Sequence, residues 1–149
     1  MQLTEHFTLA EFTHSQTAAR LGIDNTPTDF HINRLRKLCT LILEPARKEL
    51  GALTISSGYR NISLNRAIGG SPSSAHCLGY AADVIPMRVS KHELAHWIAD
   101  RCKFDQLILE FGTLQEPAWI HVSCDPRTRM QILRAYGRPT RYEALVHVA

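Results

Sequence analysis

The sequence predicts an α+β fold in which a small antiparallel sheet is flanked by helices, all within one compact domain spanning residues 1–149. Three observations predict it. Residues 29–50 and 90–102 repeat apolar side chains near the helical period. Four short runs, 53–57, 80–85, 105–111 and 118–124, are β-like, and the last two are joined by a loop containing Gly112 and Pro117, which is hairpin spacing. A chain of 149 residues, 44% hydrophobic and 21% charged, also suits a single core. Such a domain buries about 68–70% of its unfolded surface and needs no disulfide to hold together.

Taken in order, residues 1–22 should form two short helical pieces. Thr8 and Glu11 fit a capping box, the hydroxyl meeting an amide three residues on while the glutamate reaches back. Over 29–50 the apolar positions Ile32, Leu35, Leu38, Ile42 and Ala46 mark the long core helix, with Pro45 as a kink and Gly51 as a stop. The strand 53–57 runs into Gly58-Tyr59-Arg60, so Arg60 is aimed from its C-terminal end, and Asn61 can cap a helix that stops at Gly69-Gly70. The strand 80–85 holds Asp83 and is bounded by Pro86. Residues 90–102 form an amphipathic helix with its own box, Ser90 and Glu93, and the apolar set Leu94, Trp97 and Ile98. Periodicity leaves 130–136 open between strand and helix, and the strand is the preferred expectation. No repeat, low-complexity tract or Pro/Gly-rich linker marks a domain boundary.

Composition narrows the function classes. No stretch approaches the ~20 apolar residues of a membrane span, and Glu5, His6 and Glu11 interrupt the run a signal peptide would need. The expectation is therefore synthesis in a cytoplasm. The cysteines Cys39, Cys77, Cys102 and Cys124 are widely spaced and are expected to be free thiols. The net charge of +3 is concentrated in Arg127, Arg129, Arg134, Arg138 and Arg141, a solvated basic face that would also suit contact with an anionic envelope surface. No nucleic-acid partner is expected, because no binding motif or aromatic interleaving accompanies those arginines.

The chemistry gathers in residues 71–86, SPSSAHCLGYAADVIP, where Ser74, His76, Gly79, Ala81 and Asp83 spell S-x-H-x-x-G-x-A-x-D. Gly79 lets the backbone turn tightly enough for His76 and Asp83 to converge on one ion. A candidate third ligand, His121, lies far downstream, and strand parity lets it face the same cleft, since alternate side chains point to opposite faces. In 118–124, Ile120, Val122 and Cys124 make the apolar face, so His121 points the other way with Trp119 and Ser123. In 105–111, Leu107, Leu109 and Phe111 make the apolar face, leaving Glu110 with Gln106 and Ile108 opposite. Two imidazoles and one carboxylate form a three-ligand set that leaves the fourth tetrahedral position of a zinc ion open, as in catalytic rather than structural sites. Cys77 is adjacent to His76 and unsuited to share its direction, and Cys124 has the wrong parity. The remaining six histidines sit in terminal or helix-like polar settings.

These residues resemble the zinc D-Ala-D-Ala carboxypeptidase and L-alanyl-D-glutamate endopeptidase family, whose fold is shared with the hedgehog signalling domain. The segment Ser57-Gly58-Tyr59-Arg60, followed by Leu64-Asn65 and Gly69-Gly70, is similar to the family's S-G-Y-R…L-N…G-G segment. Phe7-Thr8-Leu9-Ala10-Glu11-Phe12 is similar to the start of its phage and bacterial members. The resemblance implies that His76, Asp83 and His121 hold zinc, that Arg60 binds a substrate carboxylate or the developing oxyanion, and that Ser74 lines the same pocket. The general base stays open. Some members place a glutamate three residues before the last ligand, where this chain has Ala118, and others place their acid–base group five before it, which is Glu116. Strand parity instead favours Glu110.

The expectation is a zinc-dependent peptidase acting on peptidoglycan stem peptides in the manner of a phage endolysin, with a monomer as the default state. Its alternative is a catalytically silent, hedgehog-like zinc module that recognises cell-wall peptides.

Overall fold

The computed structural model describes residues 1–148. Helices α1 (Leu9–Thr13) and α2 (Gln16–Leu21) open the chain. Glu11 reaches back to the Thr8 N–H at 2.8 Å, and Ser15 caps α2 by accepting from the Ala18 N–H. The long periodic stretch is helical throughout but not uniformly wound. α3 (Asp29–Leu38) passes through a π-helical segment (Cys39–Leu43) into α4 (Glu44–Leu50). Pro45 explains the change of winding, because it has no N–H to offer and its ring crowds the carbonyl one turn back; widening the preceding turn relieves both. Glu44, beside it, ties down the N-terminus by accepting from Thr4 Oγ1 and the His6 N–H, both at 2.7 Å.

Six strands form one sheet: β1 (Leu53–Ser57), β2 (Ala81–Pro86), β3 (Gln106–Glu110), β4 (Trp119–Ser123), β5 (Gln131–Tyr136) and β6 (Arg141–Ala144). Their spatial order is β1-β2-β4-β3-β5-β6. Every neighbouring pair is antiparallel except β3 and β5, which are parallel, so the sheet is mostly antiparallel, as expected, with one parallel pair added. A parallel pair ordinarily needs a long crossover. Here β4 ends and β5 begins at the same end of β3, so the chain only steps around the start of β3. Asp105 fixes that step: its buried carboxylate accepts from the Arg129 backbone and Nε, both at 2.9 Å, and from Nη2 at 2.8 Å. Residues 130–136 therefore contain the strand that periodicity left open, and β6 is an edge strand the sequence did not announce.

The alternating pattern sorts each strand's residues onto two faces. Ala82, Val84, Leu107, Leu109, Ile120 and Val122 are buried together with Leu35, Leu38, Ile42, Leu43, Leu94 and Ile98 in one apolar core. α5 (Ile62–Ala67) contacts α2, and α6 (Lys91–Arg101) packs on the core side against β2, β3 and β4. Among the described residues no helix is long and apolar enough to cross a membrane.

Candidate metal centre

Asp83 on β2 and His121 on β4 are direct cross-strand partners, which places both side chains on the face away from the core. His76 arrives from outside the sheet, on a short 3-10 turn (Ala75–Leu78). Ser74 starts this turn by accepting from the His76 N–H at 3.2 Å. Gly79 ends it at φ 79°, where an added Cβ would also come within 3.0 Å of the His31 backbone. Arg34 holds the turn from α3 by donating to the Leu78 carbonyl at 2.9 Å.

The His76 ring is further oriented by the Gly58 carbonyl, 2.7 Å from Nδ1. A carbonyl can only accept, so Nδ1 carries the proton and Nε2 presents its lone pair to the cleft. Gly58 is itself pressed against α1, since a Cβ there would lie 2.6 Å from the Phe12 carbonyl, and the Tyr59 N–H donates to that carbonyl at 2.7 Å. The segments 7–12 and 57–60, distant in sequence, thus meet directly behind the His76 ring.

His76 Nε2, Asp83 Oδ1 and His121 Nδ1 form an equilateral triangle with all three edges 3.2 Å. A tetrahedral zinc with bonds of about 2.0–2.1 Å has ligand–ligand edges of about 3.3 Å, so the triangle matches one face of that tetrahedron. The residues are only 3%, 5% and 6% exposed. Burial alone would raise the Asp83 carboxyl, but the His76 and His121 rings overcome this and hold it well below the ordinary carboxylate range. A bare imidazole nitrogen, a buried carboxylate and a second imidazole converging on one point fit a divalent cation.

Glu110 completes the group, with Oε1 3.4 Å from His121 Nδ1 and Oε2 accepting from the Trp119 indole at 3.2 Å. Burial pushes its carboxyl up to about 7, with His121 lowering it, the Asp83 charge raising it, and Trp119 and Arg60 lowering it further. Glu116 is not brought to this place. Fully exposed on the hairpin loop, it pairs with Lys91 at 2.8 Å and is outside the cleft lining. Its carboxyl lies below the usual range because of that hydrogen bond. Arg60 does reach the cleft. Its Nη2 lies 3.4 Å from Ser74 Oγ, and its Nε is buried with no hydrogen-bond partner among the described residues.

These groups line a cleft of about 770 Å³. One wall is the loop through Gly69, Gly70, Ser71 and Ser73, and the other carries Leu133, Thr140 and Tyr142. Phe111 also lines the cleft, against its expected place on the apolar face, because the backbone turns to φ 58° there and strand alternation ends. Trp119 was readable from its parity with His121. Arg34 and Tyr142 carried no sequence signal of their own.

An open three-ligand set beside a buried carboxylate, on the uncovered face of an α+β sheet, defines a candidate metallohydrolase centre. Residues 5–123 match the Peptidase M15 family, and the chain belongs to it. The match spans every residue of the triangle and Glu110, and it ends before β5 and β6. Peptidases of this family are zinc-dependent, in agreement with the donor set. Comparison with curated proteins finds no match.

Proposed function

We propose that this zinc peptidase hydrolyses peptide bonds in the stem peptides of bacterial peptidoglycan, acting on the wall as a phage endolysin does. The equilateral ligand triangle beside Glu110 is the observation that carries the hydrolytic part. The substrate class rests on the resemblance of the segments 7–12, 57–70 and 74–83 to wall-peptide hydrolases. His76, Asp83 and His121 are the proposed ligands. When bound, zinc supplies Lewis acidity towards a carbonyl oxygen and makes water a stronger acid.

Glu110 is the proposed general base, accepting a proton from the attacking water and returning it to the leaving amine. Trp119 holds one of its oxygens and leaves the other facing His121. A raised pKa suits both halves of that task, since a carboxylate near neutrality takes and releases a proton with little bias. Arg60 is proposed to bind a carboxylate or oxyanion of the peptide. An unpartnered buried Nε lacks an acceptor that substrate would provide, and the planar guanidinium offers two parallel donors to it. Ser74 lines the pocket beside it.

Elemental analysis tests the ligand set. The purified protein should hold about one zinc per chain, and His76→Ala, Asp83→Ala and His121→Ala should each lose it. Full zinc in any two of these variants would refute the set.

A further inference from the structure

The cleft wall formed by the C-terminal hairpin lies outside the segment that matches the family, yet it reaches the reacting groups. Sheet register shows how. Trp119 of β4 pairs with Glu110 of β3, Glu110 with Ala135 of β5, and Ala135 with Tyr142 of β6. Directly paired residues share a face, so all four side chains stand on the metal side of the sheet. Only the methyl group of Ala135 separates Glu110 from Tyr142, across two strand spacings of about 4.8 Å each. A long side chain leaning over so small a neighbour reaches the cleft, and Tyr142 lines it together with Arg60, Ser74 and Glu110.

Tyr142 has no structural reason to be there. It is 59% exposed, so its ring is not part of the core, and its hydroxyl makes no hydrogen bond to any described residue. Aromatic rings left half in water beside an apolar floor of Ile108, Leu133 and Trp119 are suited to covering a bound molecule. Burial and the nearby Glu110 charge raise the phenol above its ordinary pKa, so at neutral pH it is a donor.

Resting on the peptidase reading above, we propose that Tyr142 is a substrate-contacting residue. Its hydroxyl donates a hydrogen bond to an oxygen of the bound peptide, opposite Arg60, while its ring forms the side of the cleft facing the Ser71–Ser74 loop. The edge strand β6 thereby carries a specificity element beyond the part of the chain common to the family. A contact at the cleft mouth strengthens ground state and transition state alike, so it acts on KM rather than kcat.

The test uses full-length zinc-loaded protein and a synthetic stem pentapeptide ending in D-Ala-D-Ala, with Tyr142→Phe, Tyr142→Ala and Glu143→Gln. Glu143 neighbours Tyr142 but points to the opposite face, paired with Arg134. Tyr142→Phe should raise KM about five- to tenfold with kcat within about twofold, Tyr142→Ala should raise it further, and Glu143→Gln should match wild type. Thermal melts should be unchanged for all three, which separates contact loss from unfolding. If wild type does not cleave the pentapeptide, Kd by titration calorimetry replaces KM. Weaker binding by Tyr142→Phe would then support this contact while the peptidase reading fails. Unchanged KM or Kd in Tyr142→Phe overturns the hydrogen bond even where cleavage by wild type upholds the peptidase reading. Wild type that neither cleaves nor binds the peptide overturns both.

Discussion

Strands β2, β3 and β4 carry two faces made from alternate residues of the same backbone, and the two could hardly differ more. One presents Ala82, Val84, Leu107, Leu109, Ile120 and Val122 to the core. The other presents Asp83, Glu110 and His121, ionisable and nearly as buried. A slip of one residue in any pairing would exchange them. The core face therefore does more than stabilise: by fixing register it holds the carboxylates of Asp83 and Glu110 at 3.2 and 3.4 Å from the same nitrogen of His121. The ligand face works against stability, because buried polar groups are costly unless fully paired.

The sharpest way to break this division is through Glu110. Glu110→Gln is nearly isosteric and should keep zinc and fold while lowering kcat/KM by about 10²–10⁴, the usual contribution of a general base. The base must be ionised, so wild-type activity should rise with pH through the Glu110 pKa. That limb should lie below about 7, because a bound cation favours the charged form. Full activity in Glu110→Gln would remove the base from the ligand face.

The opposite face should respond in the opposite way. Leu107→Ala empties a fully buried site and should cost about 2–5 kcal/mol in a denaturant melt, with kcat/KM per folded molecule within about twofold of wild type. A large kinetic loss in well-folded Leu107→Ala would show that the two faces are not separable. The smallest effect is expected at Glu116→Gln, whose exposed pair with Lys91 lies outside the cleft; activity should stay within about twofold and the melt unchanged. A loss exceeding that of Glu110→Gln would instead hand it the role of base.

The contrast also explains what could be read from the sequence. Strand parity needs only a period of two, so the positions of His121, Trp119 and Glu110 relative to the core were legible, as was the turn at Gly79 that brings in His76. Parity says nothing about which strands are neighbours. The parallel pairing of β5 with β3 depends on Asp105 gripping the Arg129 loop, an interaction across 24 residues. That grip also alters the charge picture. Arg129 is bound by Asp105 and Arg127 by Asp125 at 3.1 Å, so the basic face rests mainly on Arg134, Arg138 and Arg141. β6 has no alternating pattern to betray it, being exposed along its length, and Tyr142 was hidden with it. Glu116 was a candidate through its spacing from His121, as in some members of the resembled family, and spacing along the chain does not show that the loop turns it towards Lys91.

Digestion of purified muropeptides, followed by mass spectrometry, tests the central claim most directly, with zinc-loaded wild type and Glu110→Gln run side by side. The account predicts that wild type converts muropeptides into paired products whose masses sum to the parent plus one water, and that Glu110→Gln leaves the substrate almost untouched. Unchanged muropeptides in the presence of folded, zinc-replete wild type would contradict it and leave the silent, hedgehog-like peptide-binding module as the better description.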